Sequence, residues 1–148
     1  MLLALDWAKA FDNVSPDALC RALQRFGIPP EFISVVRAIY TDRTFEVRDA
    51  GSVSNAYPQN FGISQGCPLS PFLFAIVMTV LLHDAKREAT PNLDLTQQVH
   101  ELVYADDTLL VATTGDEASG YMPCVQRAGC NSTGENWKFC RRGATCAS

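Results

Sequence analysis

Two adjacent carboxylates set between apolar runs constrain this chain of 148 residues more than any other feature. Asp106 and Asp107 follow Tyr104-Ala105, with Glu101-Leu102-Val103 on one side and Thr108-Leu109-Leu110-Val111-Ala112 on the other. The flanks read as two β-strands joined by a tight connection. Neighbouring anions repel, and a fold does not normally place such a pair in an apolar hairpin without a cation to neutralise it. The pair is therefore expected at the hairpin tip, where two readings stand open. A divalent cation bridges the carboxylates, or both simply face water in a turn, a common setting for Asp.

Two further segments bear on that choice. The chain opens with a short apolar run, Leu2-Leu3-Ala4-Leu5, that ends at Asp6 and suits a buried strand with the acid at its exit. Between the acidic sites, Gly62-Ile63-Ser64-Gln65-Gly66 is a polar, glycine-bearing loop that runs through Cys67-Pro68-Leu69-Ser70-Pro71 into an apolar helix. In order, LDWAKAFD, GISQGCPLSPFLF and YADDTLLVA resemble motifs A, B and C of reverse transcriptases, most nearly those of non-LTR (LINE-type) retrotransposons and group II introns. YADD alone recurs by chance, whereas three segments in sequence, each in a fitting context, are specific. The resemblance covers residues 1–113 and then fades, so residues 1–113 are expected to form a palm core and residues 114–148 a degenerate or poorly ordered C-terminal segment.

The resemblance implies an α+β fold, a palm-like antiparallel sheet packed on helices, with the fingers and thumb of a whole polymerase largely missing. It implies RNA-directed DNA polymerase chemistry with an RNA template, a DNA primer and a deoxynucleoside triphosphate as partners. Nucleotidyl transfer of this kind uses two divalent cations, and Mg²⁺ or Mn²⁺ is the expected pair. Asp6 and Asp106 are the expected bridging ligands, Asp107 the third and looser acid, and Trp7 a donor through its backbone carbonyl. For Asp6, helix capping or a surface salt bridge is the plain alternative. Phe11, five residues after Asp6, matches the aromatic that excludes a 2′-hydroxyl, against ordinary core packing. Gln65 and Gly66 are expected in the nucleotide pocket, and glycine admits a close backbone approach. Tyr104 is expected near the primer terminus or as an ordinary strand tyrosine. Asp12 reads as structural, Lys9 as an electrostatic neighbour of Asp6, and His83 and His100 as structural or solvated.

Hydrophobic content of 47% with 19% charged residues describes a chain with a core. The net charge of −4 is the wrong sign for gripping nucleic acid, so little of a basic template-binding surface is expected here. Phe72 to Leu82, the longest apolar run, is too short to span a bilayer and reads as a buried helix. No secretory signal is recognised, so the six cysteines are expected as free thiols in an intracellular protein, with nuclear work suiting a retroelement enzyme. Four of them, Cys124, Cys130, Cys140 and Cys146, lack the spacing of a zinc module. Asn136 and Lys138 give a faint match to the lysine-bearing motif that follows motif C in the family.

Helices are expected from Ser15-Pro16 to Phe26, from Pro29-Pro30 to Tyr40 with Phe32, Val35, Val36 and Ile39 as the apolar face, and from Ser70-Pro71 to Arg87. A strand at 44–49 should turn Phe45 and Val47 inward. Gln98–Tyr104 and Thr108–Thr113 form the hairpin. Residues 116–128 carry a helical pattern that Gly120 and Pro123 argue should be short. Two other readings compete with the polymerase palm. One is a catalytically dead remnant kept as an interaction or nucleic-acid-binding module. The other is a different metal-dependent palm enzyme, such as an RNA-directed RNA polymerase or a nucleotide cyclase.

Overall fold

The computed structural model describes residues 2–7, 9–89, 100–105, 107–133 and 139–145, with the backbone alone for Ser119, 130–133 and 139–145. A four-stranded antiparallel sheet carries β1 (Leu2–Trp7), β6 (His100–Tyr104), β7 (Asp107–Val111) and β8 (Phe139–Thr145) in the order β6-β7-β1-β8. Two small hairpins, β2 (Thr44–Phe45) with β5 (Tyr57–Pro58) and β3 (Arg48–Asp49) with β4 (Ser52–Val53), stand apart from it. The described residues also form four helices: α1 (Pro16–Phe26), α2 (Pro30–Tyr40), α3 (Ser70–Ala89) and α4 (Gly115–Thr133). The α+β class and the antiparallel sheet on helices agree with the palm expectation.

Strand periodicity divides the sheet into two faces. Leu3, Leu5 and Trp7 of β1 and Thr108 and Leu110 of β7 are buried. Leu3, Leu5, Trp7 and Leu110 pack in one core with Leu19 and Leu23 of α1, Phe74, Val77 and Leu81 of α3, and Tyr121 and Val125 of α4. The opposite face bears Ala4, Asp6, Asp107 and Leu109, which are exposed or half-buried.

Local chemistry explains the helix ends. Ser15 caps α1 by accepting from the Ala18 N–H at 3.1 Å, Pro16 fills the first turn, and Gly27 closes it at φ +93°. Arg25, in the last turn of α1, forms a two-pronged ion pair with Asp84 of α3, which holds that carboxyl below the usual range. Thr114 and Glu117 form a box at the start of α4: the Glu117 N–H donates to Thr114 Oγ1 at 3.3 Å, and Glu117 Oε2 accepts from the Thr113 N–H at 3.1 Å.

Three expectations fail. Helix α4 runs for 19 residues through Pro123, because Ala118, Tyr121, Cys124, Val125 and Ala128 form a buried stripe against α3. That burial outweighs a proline break of about 3 kcal/mol. On α2 only Val36 and Tyr40 are buried, while Phe32, Val35 and Ile39 are 42–57% exposed. The 44–49 strand splits into β2 and β3, and Phe45 and Val47 are exposed. A two-residue turn, Ala50 at φ +45° and Gly51 at φ +84°, folds β3 onto β4 in place of packing inward. Strand β8, in the segment beyond the motif resemblance, pairs with β1.

Candidate catalytic face

The opening strand and the acidic hairpin are neighbours. β1 and β7 run antiparallel with Leu2 opposite Val111, Ala4 opposite Leu109, and Asp6 opposite Asp107. Directly opposed residues in such a pair share a face, with Cβ atoms about 4.5–5.5 Å apart. Asp6 and Asp107 therefore stand side by side on the open face, Asp6 half-buried and Asp107 exposed. Asp107 is the first residue of β7 and not part of the turn. Asp106, the third expected acid, lies outside the described residues, as do Gln98 and Val99 of the hairpin and Asn136 and Lys138. Among the described residues no three metal-ligating side chains converge. The two opposed carboxylates nonetheless supply hard oxygen donors of the kind Mg²⁺ takes.

The rest of the hairpin fits this arrangement. β6 pairs with β7 so that Tyr104 stands opposite Asp107 and Leu102 opposite Leu109. Tyr104 is 83% exposed, so it does not act as a packed strand tyrosine here. An open groove of about 330 Å³ follows this face, lined in part by Ala4, Leu102, Tyr104, Asp107 and Leu109. Ala105, directly after β6, sits at φ +52°, a region that costs an L-residue roughly 1–2 kcal/mol. Trp7 turns its ring to the other side of the sheet, where Nε1 donates to Thr108 Oγ1 at 3.0 Å. The Trp7 side chain is thus a core member that locks β1 to β7 directly behind Asp6.

The loop of motif B is bound to the turn that follows β1. The Gly62 N–H donates to Val14 O at 2.9 Å and the Ile63 N–H to Phe11 O at 2.8 Å. Gly62 has φ +93°, and a Cβ there would lie 3.2 Å from Asp12 Cα, so only glycine allows the two segments this approach. Gln65 Nε2 reaches Asp12 Oδ1 at 3.3 Å, which gives Asp12 its structural task. Gln65 and Gly66 are exposed, and Gly66 also has a positive φ of 86°. Phe11 is half-buried and stacks on Phe74 of α3, centroids 4.2 Å apart and planes at 19°. The ring therefore does pack, as the plain reading of Phe11 held. Ser70, at the head of α3, donates through Oγ to Ser64 O.

Two groups went unrecognised in the sequence. Arg43, between α2 and β2, donates to Ser64 Oγ at 2.8 Å and to Gly62 O at 2.6 Å, with its Cζ 4.3 Å from the centre of the Tyr40 ring. Behind the hairpin, Glu101 of β6 accepts from Tyr121 Oη at 2.6 Å and from Lys86 Nζ. Burial and this carboxylate push the Tyr121 phenol far above its ordinary range. A charged residue inside the Leu-Val run was the available signal for Glu101. For Arg43 the sequence carried none.

Comparison with known proteins agrees with the motif reading. The profile of the reverse transcriptase (RNA-dependent DNA polymerase) family matches residues 1–134. A Pol polyprotein of the type-1 retrotransposable element R2 from Popillia japonica is 38% identical over 114 residues, 74% of this chain and 16% of that protein. The RNA-directed DNA polymerase of the mobile element jockey from Drosophila melanogaster is 30% identical across 97% of this chain and 15% of its own length. The chain thus spans about a sixth of these relatives. Among solved structures, telomerase from Candida albicans in complex with a fragment of telomeric RNA superposes with TM-score 0.66 at 16% identity, over 97% of this chain and 28% of that one. Telomerase from Candida tropicalis gives 0.68 at 14% identity, and both likenesses concern the fold alone. By motif order, sheet topology and profile match together, the chain belongs to the reverse transcriptase family.

Proposed function

We propose that the chain is the palm portion of an RNA-directed DNA polymerase that extends a DNA primer on an RNA template. The observation that carries this reading is the cross-strand register that sets Asp6 opposite Asp107 on the open face, with Asp106 next to Asp107 in the sequence. Reverse transcriptases work with divalent metal ions, and Mg²⁺, with Mn²⁺ as substitute, is the pair we assign. Asp6, Asp106 and Asp107 would hold them, aided by the Trp7 carbonyl. When bound, such ions activate the primer hydroxyl and stabilise the leaving pyrophosphate.

The chain's own residues do the positioning. Gln65 and Gly66 face the incoming nucleotide at the head of α3, whose N-terminus carries partial positive charge. Phe11, fixed against Phe74, forms the sugar floor that discriminates against a 2′-hydroxyl. Tyr104, exposed beside Asp107, meets the primer end. The net charge of −4 leaves most of the duplex grip to other parts of the polymerase, so the isolated chain is expected to extend primers weakly or not at all.

Metal titration tests the site without requiring turnover. Mn²⁺ binding followed by electron paramagnetic resonance should be seen in the unaltered chain and lost in Asp6→Asn and Asp106→Asn. Equal binding in all three chains, or none in the unaltered chain, would overturn the assignment. Strong Mg²⁺-dependent primer extension by the purified chain would refute the expectation of weak activity alone.

A further inference from the structure

We propose that Arg43 is a positioning residue for the nucleotide pocket, a clamp that fixes the motif B loop without touching substrate. This rests on the polymerase reading of that loop. Its guanidinium uses both terminal nitrogens on the loop: Nη1 donates to Ser64 Oγ at 2.8 Å, and Nη2 to Gly62 O at 2.6 Å, with Phe61 O at 3.4 Å. The Tyr40 ring, itself buried at the end of α2, lies beneath the guanidinium and fixes its plane. The Nε atom is buried with no hydrogen-bond partner, a cost that a surface arginine would avoid by turning outward.

The opposite edge of the same loop is held by motif A, through the bonds from Gly62 to Val14 and from Ile63 to Phe11. Residues 61–64 are therefore gripped from two sides, and the carbonyl side depends on Arg43. From Ser64 the restraint passes along two short routes. One runs through Ser64 O to Ser70 Oγ and the head of α3, the other along the backbone to Gln65, whose amide meets Asp12. A planar fork laid on an aromatic ring can serve Gly62 and Ser64 at once, and a lysine ammonium cannot reproduce that geometry. Arg43 thus sets the loop conformation from which Gln65 and Gly66 face a nucleotide.

The test compares Arg43→Ala, Arg43→Lys and Ser64→Ala in the full chain by amide hydrogen exchange and by Mn²⁺-dependent deoxynucleoside triphosphate binding. In Arg43→Ala the Gly62 and Ile63 amides should exchange at least tenfold faster, with the Leu110 amide unchanged. Nucleotide affinity should weaken about tenfold, and lysine should restore neither readout. Ser64→Ala should move both in the same direction by less. Unchanged exchange at Gly62 and Ile63 in folded Arg43→Ala, or full rescue by lysine, overturns the clamp. Should Arg43→Ala fail to fold, unchanged exchange in Ser64→Ala overturns it instead. Absence of nucleotide binding by the unaltered chain counts against the polymerase reading, and the exchange measurement then decides the clamp on its own.

Discussion

Replacing Tyr121 by Phe probes how the hairpin is tied to the helices behind it. Tyr121 is 1% exposed, and its hydroxyl donates to Glu101 Oε1 at 2.6 Å. The Glu101 side chain is itself 7% exposed, so water cannot readily replace the lost donor. The ring remains in Phe, which leaves no cavity, and the loss is that of one hydrogen bond to a charged group. This costs about 2 kcal/mol, or a fall in Tm of roughly 4–8 °C for a domain of this size. The variant should also differ in its pH dependence. The phenol is held neutral in the fold well above the ordinary value, first by burial and then by the Glu101 carboxylate. The unfolded chain loses that proton near pH 10 while the native chain keeps it, so native stability is lost above pH 10 and untouched below. Urea melts from pH 7 to 11 should show a wild-type minus Tyr121→Phe difference that is constant to about pH 10. It should then shrink by about 1.4 kcal/mol per pH unit. A variant within about 0.5 kcal/mol of wild type at pH 7, or a difference that stays constant to pH 11, would refute the buried Tyr121–Glu101 link.

Other substitutions probe the open face. Asp107→Asn should stabilise the chain in EDTA by up to about 1 kcal/mol, because it removes a like charge directly across from Asp6, and a lower Tm would speak against that proximity. Ala105→Gly should be neutral to about 1 kcal/mol stabilising in a thermal melt, since φ +52° suits glycine, whereas a clear loss would mean that the left-handed turn is absent. Gly62→Ala should cost roughly 2 kcal/mol or more and release the Gln65–Asp12 contact, as seen in the Gln65 side-chain amide signals by nuclear magnetic resonance. An unperturbed spectrum would refute the close approach to Asp12.

Much of the fold was legible because its signals are local. Ser15-Pro16 and Gly27 mark the ends of α1 as they do in the structure. Alternation in β1 and β7 places Asp6 and Asp107 on one face once the strands pair. What the sequence could not supply was the identity of covering surfaces. An apolar stripe at 32, 35 and 39 announces a face that favours burial, not what would cover it, and among the described residues it stays exposed. The same blindness concealed Arg43, whose partners are backbone and side-chain atoms about 20 residues away, and Tyr121, which meets Glu101 only after α4 docks on α3. Pro123 misled in the other direction, because local breaking propensity yields to an extensive buried stripe.

The place of β1 in the sheet sets how faithfully Asp6 is delivered. A strand that pairs on both flanks must break two ladders at once to slide along its neighbours. A slip by one position would thrust Asp6 into the oily layer beneath and turn Leu5 and Trp7 out to solvent, the most expensive misalignment open to it. An edge strand would face half that penalty. Asp107 enjoys the same protection, since β7 is likewise held between β6 and β1.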